Sequence, residues 1–458
     1  MERGNRIKIN SGIIKETTIM AFPIIVQGLV FQLQSLTDKA FLGEIETKYV
    51  SAIGSAQLPL LATMDGIVAI AIGLTIIVSH LIGAKKKQEA IKYVKTAMFF
   101  SWLIGMLFFM GWEIFAHPIL QFFKVDPTII GYSIQYVKIC ASFFLVLGID
   151  TSLNAMLQGM GKTKIIMYSG IVKVVFNIVL SWILIFGKFG FKSYHVAGAA
   201  LGTVISNYIA FAFCFVYCVI VKRKEFGFDG FTRKDITVRY YKKVLALGAP
   251  ACLEYLLWNF SNLILVRFIN EFSYVCMSIY TVTFGIQCIV YAVFSNYSKA
   301  ALTLIGQSQG AKDYKKARDV FYNCLLINLL IVLVAAIIFL IGSKNILGIF
   351  INEANIVNMG EKYLWFIGLI MISQSVNVVC GNAIKGNANT QWMLLSQILG
   401  STIVISLSIL LVKGFHMNMV AIYLVIFIDE TIRGLINYLY YKKKYICSTG
   451  TLHSGVKS

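Results

Sequence analysis

The chain reads as long apolar runs separated by short polar ones. Twelve runs are each about 20 residues or longer, enough for an α-helix to cross a bilayer core of about 30 Å. In the first half they fall at Thr17–Leu42, Ala52–Ile82, Ala97–Phe115, Tyr132–Leu157, Ile165–Phe186 and Val196–Val221. In the second half they fall at Val244–Ile269, Met277–Ile305, Phe321–Ile341, Tyr363–Cys380, Trp392–Leu411 and Met417–Tyr438. The runs are continuous rather than alternating, which argues against a β-barrel. The second and eighth are longer than the hydrocarbon is thick, so they predict tilted helices or helices that continue past it.

The polar segments set the orientation. The N-terminus, the loops near Lys85–Lys95, Lys162–Lys164, Lys222–Lys243, Lys312–Arg318 and Lys385, and the tail Lys442–Lys444 hold about 27 basic residues, and the alternate loops about six. Basic loops stay on the cytoplasmic side, which places both termini and the long central segment there. An even number of spans demands the same. Met1–Lys15 is polar and lacks the apolar core of a cleavable signal, so insertion is expected to begin with the first span.

Composition agrees with this reading. Of 458 residues 58% are apolar and only 14% charged, and the mean hydropathy is +0.76. That excludes a disordered, a secreted disulfide-rich or an ordinary cytosolic chain. The net charge of +20 sits in the loops, so it reports topology rather than a nucleic-acid surface. Nine cysteines form no CxxC pair, and buried free thiols are expected instead of a zinc site.

One spacing relates the two halves. Pro23 pairs with Pro250, Gly83 with Gly310 and Gly159 with Gly386, and the same offset of 227 in sequence number separates all three pairs. This predicts an all-α membrane protein of twelve transmembrane helices in two six-helix lobes related by a parallel repeat. The expected domains are an N-lobe (1–221), a cytoplasmic linker (222–243), a C-lobe (244–445) and a cytoplasmic tail (446–458). Repeats of this kind hold solute near the midplane and expose it alternately to each side.

Ionisable groups inside a bilayer are costly and mark candidate chemistry. Gln27, Gln34 and Asp38 share one face of the first span. Asp150 and Asn154 share a face of the fourth, which also holds Tyr136. Asn177 and Ser181 lie on the fifth and Thr203 on the sixth. A carboxylate among such oxygens can carry a proton, because loss of water favours the neutral acid, or can cage a cation such as Na⁺. Both readings stay open. In the second half, Glu254, Trp258 and Asn262 share a face of the seventh span, Gln287 and Tyr291 lie on the eighth, and Gln374 and Asn377 on the tenth. With Gln34, the residues Glu254, Trp258, Gln287, Tyr291 and Asn377 form the expected substrate cavity. Asp429 and Arg433 on the twelfth are spaced to pair with each other, a structural role. Lys173 and Lys138 are further charges in the spans. No GxxxxGK[ST] loop and no triad or zinc constellation appears, so neither ATP-driven transport nor an enzyme is expected and no cofactor beyond a coupling H⁺ or Na⁺.

The chain resembles the multidrug and toxic compound extrusion (MATE) family, in its prokaryotic branch similar to DNA-damage-inducible transporters. The resemblance runs over about residues 12–445. It rests on LTDKAFLG in the first span, LIGAKKKQEA after the second, LNAMLQGMGKTK after the fourth, FNIVLSWILIFG in the fifth and HVAGAALGTVIS opening the sixth. LGAPACLE, IGQSQGAKDYKKA and AIKGNANTQ repeat them in the second half. The resemblance implies export coupled to H⁺ or Na⁺ entry, in the cell membrane, of amphipathic drugs or metabolites, cationic ones above all. It also implies that Asp38 takes the coupling ion among Tyr136, Asn154, Asn177 and Thr203, with Na⁺ held by Asp38, Asn177 and Thr203. Ser181 stands where some members carry a second acid, and Asp150 is the candidate substitute.

The partners expected are a small amphipathic solute and the bilayer, with no nucleic acid, and the chain is expected to act as a monomer. Two other readings remain: a flippase for a lipid-linked precursor, and a non-transporting sensor or assembly factor. The balance of acids and bases in the spans, Lys299 among them, tempers any expectation of a strongly anionic cavity.

Overall fold

The computed structural model describes residues 10–123, 125–229, 235–350 and 353–447. Apolar runs become helices because a backbone in lipid must satisfy its own hydrogen bonds. The first half supplies α1 (Ser11–Gly43), α2 (Thr47–Gly83), α3 (Lys87–Phe122), α4 (Ile130–Ala141), α5 (Phe144–Gly159), α6 (Thr163–Phe186) and α7 (His195–Phe215). A short α8 (Arg223–Phe226) follows. The second half supplies α9 (Val238–Asn270), α10 (Tyr274–Gly310), α11 (Tyr314–Gly348), α12 (Ala354–Gly386), α13 (Thr390–Ser408) and α14 (Val420–Tyr441).

Among the described residues, ten helices are individually long and apolar enough to cross a membrane. α4 and α5 make one more span, bent by 49°. The twelfth is α14, whose 22 residues gather Asp429, Glu430 and Arg433. Its charges, not its length, set it apart. The protein is thus a multi-pass, all-helical membrane protein.

The fourth span was expected to be a single helix over Tyr132–Leu157, and it is broken at Ser142–Phe143. The Ser142 hydroxyl donates to the Ile139 carbonyl at 2.6 Å. The backbone tightens there to i→i+3 bonds, Leu145 N–H donating to the Ser142 carbonyl at 3.1 Å, and the same carbonyl also accepts the Tyr208 hydroxyl at 2.7 Å. The repeat counterpart of Ser142 is Leu369, and there α12 runs unbroken.

The offset between the halves persists in the backbone. α1 and α9 begin at Ser11 and Val238 and end at Gly43 and Asn270, and both shifts equal 227. The turns after α2 and α10 place Lys85 and Lys312 in the left-handed region, each with φ of 60°. The landmark glycines Gly83 and Gly310 instead close the preceding helices.

The chain forms two compact units. One is the continuous segment Val26–Cys252. The other joins Met1–Ile25 to Leu253–Ser458. The divisions fall inside α1 and α9, just past Pro23 and Pro250, and not in the 222–243 segment. Each helix therefore gives its first part to the unit built by the other half of the chain.

Small residues permit these crossings. In the continuous unit Gly73 of α2 meets the start of α9 so closely that a Cβ would lie 2.5 Å from the Val244 carbonyl oxygen. Gly248 would meet the Ile70 oxygen at 2.7 Å. The counterparts in the other unit are Ala300 and Ala21, both fully buried in one apolar cluster. There Thr18 and Tyr297 hydroxyls meet at 3.2 Å and Glu16 pairs with Lys316 at 2.8 Å.

Candidate functional site

In the continuous unit two polar groups lie among apolar helices. On α5 the Asn154 amide donates to the Asp150 carboxylate and to the Asp150 carbonyl, both at 3.0 Å. Lys173 of α6 lies within electrostatic reach of Asp150 and stands 5.1 Å from the Phe31 ring centroid. One turn further along α6, the Asn177 amide donates to Thr203 Oγ1 of α7 at 3.2 Å and to Ser181 Oγ at 3.4 Å. Gln34 and Tyr136 are buried, Tyr136 within an apolar cluster. The side chain of Asp38, the acid expected to take the coupling ion, lies outside the described residues. The expected ion-coupling residues thus form an Asn177–Ser181–Thr203 group and an Asp150–Asn154 pair. Among the described residues of this unit, the buried oxygens Gln34 Oε1, Asn154 Oδ1 and Asn177 Oδ1 have no protein hydrogen-bond partner.

The other unit holds a larger network. Arg433 grips Asp429 through Nε at 2.8 Å and Nη2 at 2.6 Å. The same Nη2 lies 3.2 Å from Glu430 Oε1, and Nη1 donates to Gln397 at 2.8 Å. Asn377 donates to Glu430 Oε2 at 2.8 Å and Gln374 to Oε1 at 3.3 Å. Gln287 donates to Gln374 at 3.0 Å, and Asn437 links Asn377 to the Trp392 indole. Asp429, Glu430 and Arg433 are about 5% exposed, so all three charges are out of water. Gly400 makes the room: a Cβ there would stand 2.5 Å from the Arg433 chain and from Asp429 Oδ1.

Beside this network lies a cavity of about 40 Å³, walled by Trp258, Asn262, Gln287, Gln374, Asp429 and Glu430 among others. That is room for an ion or a few waters. Of the residues expected to line a substrate cavity, Trp258 and Gln287 border it. Asn377 stands behind Glu430. Tyr291 packs edge-on against Phe294 and lies within electrostatic reach of both Glu430 and Glu254. Glu254 itself pairs with Lys385 at 2.8 Å.

The i,i+4 spacing predicts the Asp429–Arg433 pair, and the structure adds Glu430 as the hub. Spacing along one helix can reveal an i,i+4 pair. It cannot show that Gln374 and Asn377 of α12 converge on the next residue of α14. Lys138 pairs with Glu113 at 3.4 Å in an exposed position.

The MatE family model matches residues 23–183 and again 250–410. The chain belongs to the MatE family. The two matched blocks are shifted by the same offset as the landmark prolines, so the family unit is the repeat found in the sequence. A MatE chain is a transporter and not an enzyme. This one is 23% identical over 436 residues to a probable multidrug resistance protein NorM of Thermotoga maritima, covering 93% of this chain and 92% of that one. It is 27% identical over 324 residues to the probable multidrug resistance protein YoeA of Bacillus subtilis, covering 69% and 67%. Its fold matches a MOP superfamily transporter from Pyrococcus furiosus at a TM-score of 0.87 and 15% identity, covering 96% and 98%. It also matches an outward-facing multidrug resistance MATE family transporter at 0.86 and 16% identity, covering 97% and 100%. These structures establish the shared fold.

Proposed function

We propose that this MatE chain is a secondary antiporter of the cell membrane that exports amphipathic drugs or metabolites, organic cations included, by alternating access coupled to H⁺ or Na⁺. The relatives named as multidrug resistance proteins support the solute class. Both termini lie on the cytoplasmic side in this reading, because the basic loops do.

Charge balance in the Glu430 network carries the coupling. Two buried carboxylates face one buried guanidinium. An unmatched charge among spanning helices costs several kcal/mol. A proton on Glu430, or Na⁺ in the adjoining cavity, supplies the missing positive charge. Such occupancy gives an ion gradient a handle on which conformation is favoured. In the continuous unit, the unpartnered Asn177 oxygen beside Thr203 is a hard donor of the kind Na⁺ takes and supports a second ion position there.

The test is dye transport by the full chain in proteoliposomes, with a proton gradient imposed and then a sodium gradient. One gradient is expected to drive dye accumulation, and E430Q to abolish the drive while leaving dye binding in place. Dye movement indifferent to both gradients, in wild type and in E430Q alike, would remove the coupling.

A further inference from the structure

Several charged side chains in the unit containing Leu253–Ser458 have no charged counterpart in the other repeat, Asp429, Glu430 and Arg433 among them. Three more are Glu254 on α9, Lys299 on α10 and Lys385 in the last turn of α12. Their repeat counterparts are Gln27, Ile72 and Gln158. The other repeat builds the same scaffold with neutral side chains at these positions. Charges within spanning helices need a reason beyond packing.

Glu254 and Lys385 are in contact, and α10 passes close to them: a Cβ at Gly386 would stand 2.8 Å from the Leu302 carbonyl oxygen, about one turn from Lys299. Lys385 Nζ donates to Glu254 Oε1 at 2.8 Å, and both side chains are only 16% exposed. Lys299 lies close enough to Lys385 for the two ammoniums to repel. The hydrogen-bond partner of Lys299 is the neutral amide oxygen of Asn296, at 2.9 Å. Lys299 is accessible while residues 295–298 and Ala300 around it are buried. Glu254 Oε2 is buried without a hydrogen-bond partner. These three side chains set two ammoniums against one carboxylate, and Arg433 of the adjoining network also lies within electrostatic reach of Glu254.

We infer that Lys299 and Lys385 form a subsite for an anionic group, a carboxylate or phosphate, on the exported solute. This rests on the exporter reading above and extends its solutes from cations to zwitterionic and anionic amphiphiles. Glu254 holds Lys385 in place, and each ammonium keeps donors for ligand oxygens. The ligand supplies the negative charge that the two lysines lack. Arg433 does not compete for this role, because Asp429, Glu430 and Gln397 already engage its guanidinium.

The test uses two dansyl probes of equal chain length, one ending in a carboxylate and one in a trimethylammonium. Each is titrated onto the purified full chain in phosphatidylcholine nanodiscs. Carboxylate-probe affinity is expected to fall about tenfold in K299Q and in K385Q, the scale of one charged hydrogen bond. K299R, which keeps the charge, is expected to hold it within about twofold. The trimethylammonium probe should bind K299Q no more weakly than wild type. Unchanged carboxylate affinity in a K299Q protein of wild-type melting temperature overturns the subsite. Phosphatidylglycerol in the nanodiscs separates the two sources of anion. If it displaces the carboxylate probe in a Lys299-dependent way, the site reads lipid headgroups and the solute assignment falls. Gradient-driven transport of both probes is measured in parallel. Transport of the trimethylammonium probe without Lys299-dependent anion binding sinks only this inference, and no transport of either probe sinks the exporter reading instead.

Discussion

Arg433 holds Asp429 one helical turn away on α14 with two hydrogen bonds, and both side chains are buried. Removing the guanidinium leaves two carboxylates without their cation. R433M is expected to destabilise by about 3–5 kcal/mol, the scale for breaking a buried pair from one side. D429N combined with R433Q removes both charges and should recover part of that loss. Thermal unfolding of the purified variants checks this, and an R433M protein as stable as wild type would show that the pair bears little weight.

Gly73 and Gly248 let α2 and the first part of α9 touch backbone to backbone. G73A should cost about 1–3 kcal/mol, as overpacking does where the obstacle is main chain that cannot step aside. A Cβ at Gly111 meets nothing within 4 Å. G111A serves as the control and should match wild type or gain slightly. Unfolding midpoints of the two variants separate close packing from a general intolerance of glycine replacement.

Lys95 of α3 ties down the segment that enters α9. Its ammonium meets Asp235 at 3.1 Å with the lysine only 6% exposed, and Thr96 donates to the Asp235 carbonyl at 3.0 Å. K95M should loosen this anchor. Amide hydrogen exchange at 235–241 is expected to rise, while the middle of α10 stays as protected as before. Exchange unchanged at 235–241 would show that the apolar contacts of Tyr241 and Val244 suffice.

Glu225 on α8 lies outside the spans. Its carboxyl is held below the usual range by the hydrogen bond from Lys162, with Lys222 adding to the attraction. A carboxyl lowered in the folded state contributes stability that is present above its unfolded value, near 4.5. That contribution disappears as pH falls through the lower folded value. These groups are exposed, so salt weakens the effect. The melting temperatures of wild type and E225Q should differ slightly at pH 7 in low salt and converge in acid or high salt. A difference that persisted in acid would have to come from something other than this charge.

The sequence by itself determined the class of protein and the repeat. Long continuous apolar runs admit one solution in lipid, and Pro23 with Pro250 or Gly159 with Gly386 disclosed the offset because spacing along a chain is a one-dimensional property. The Asp429–Arg433 pair was legible for the same reason, since i,i+4 neighbours meet on any helix. The tertiary structure alone decided what depends on different helices converging. It bent the fourth span at Ser142–Phe143 and set the Tyr208 hydroxyl on the carbonyl there, it set Lys385 of α12 against Glu254 of α9, and it made Glu430 the meeting point of Gln374 and Asn377. It also assigned the first parts of α1 and α9 to the unit built by the other half of the chain, because helix–helix contact follows the surface each residue presents rather than its place in the chain. Hydrophobicity says that a residue lies in the membrane, and only packing says which partner it finds there.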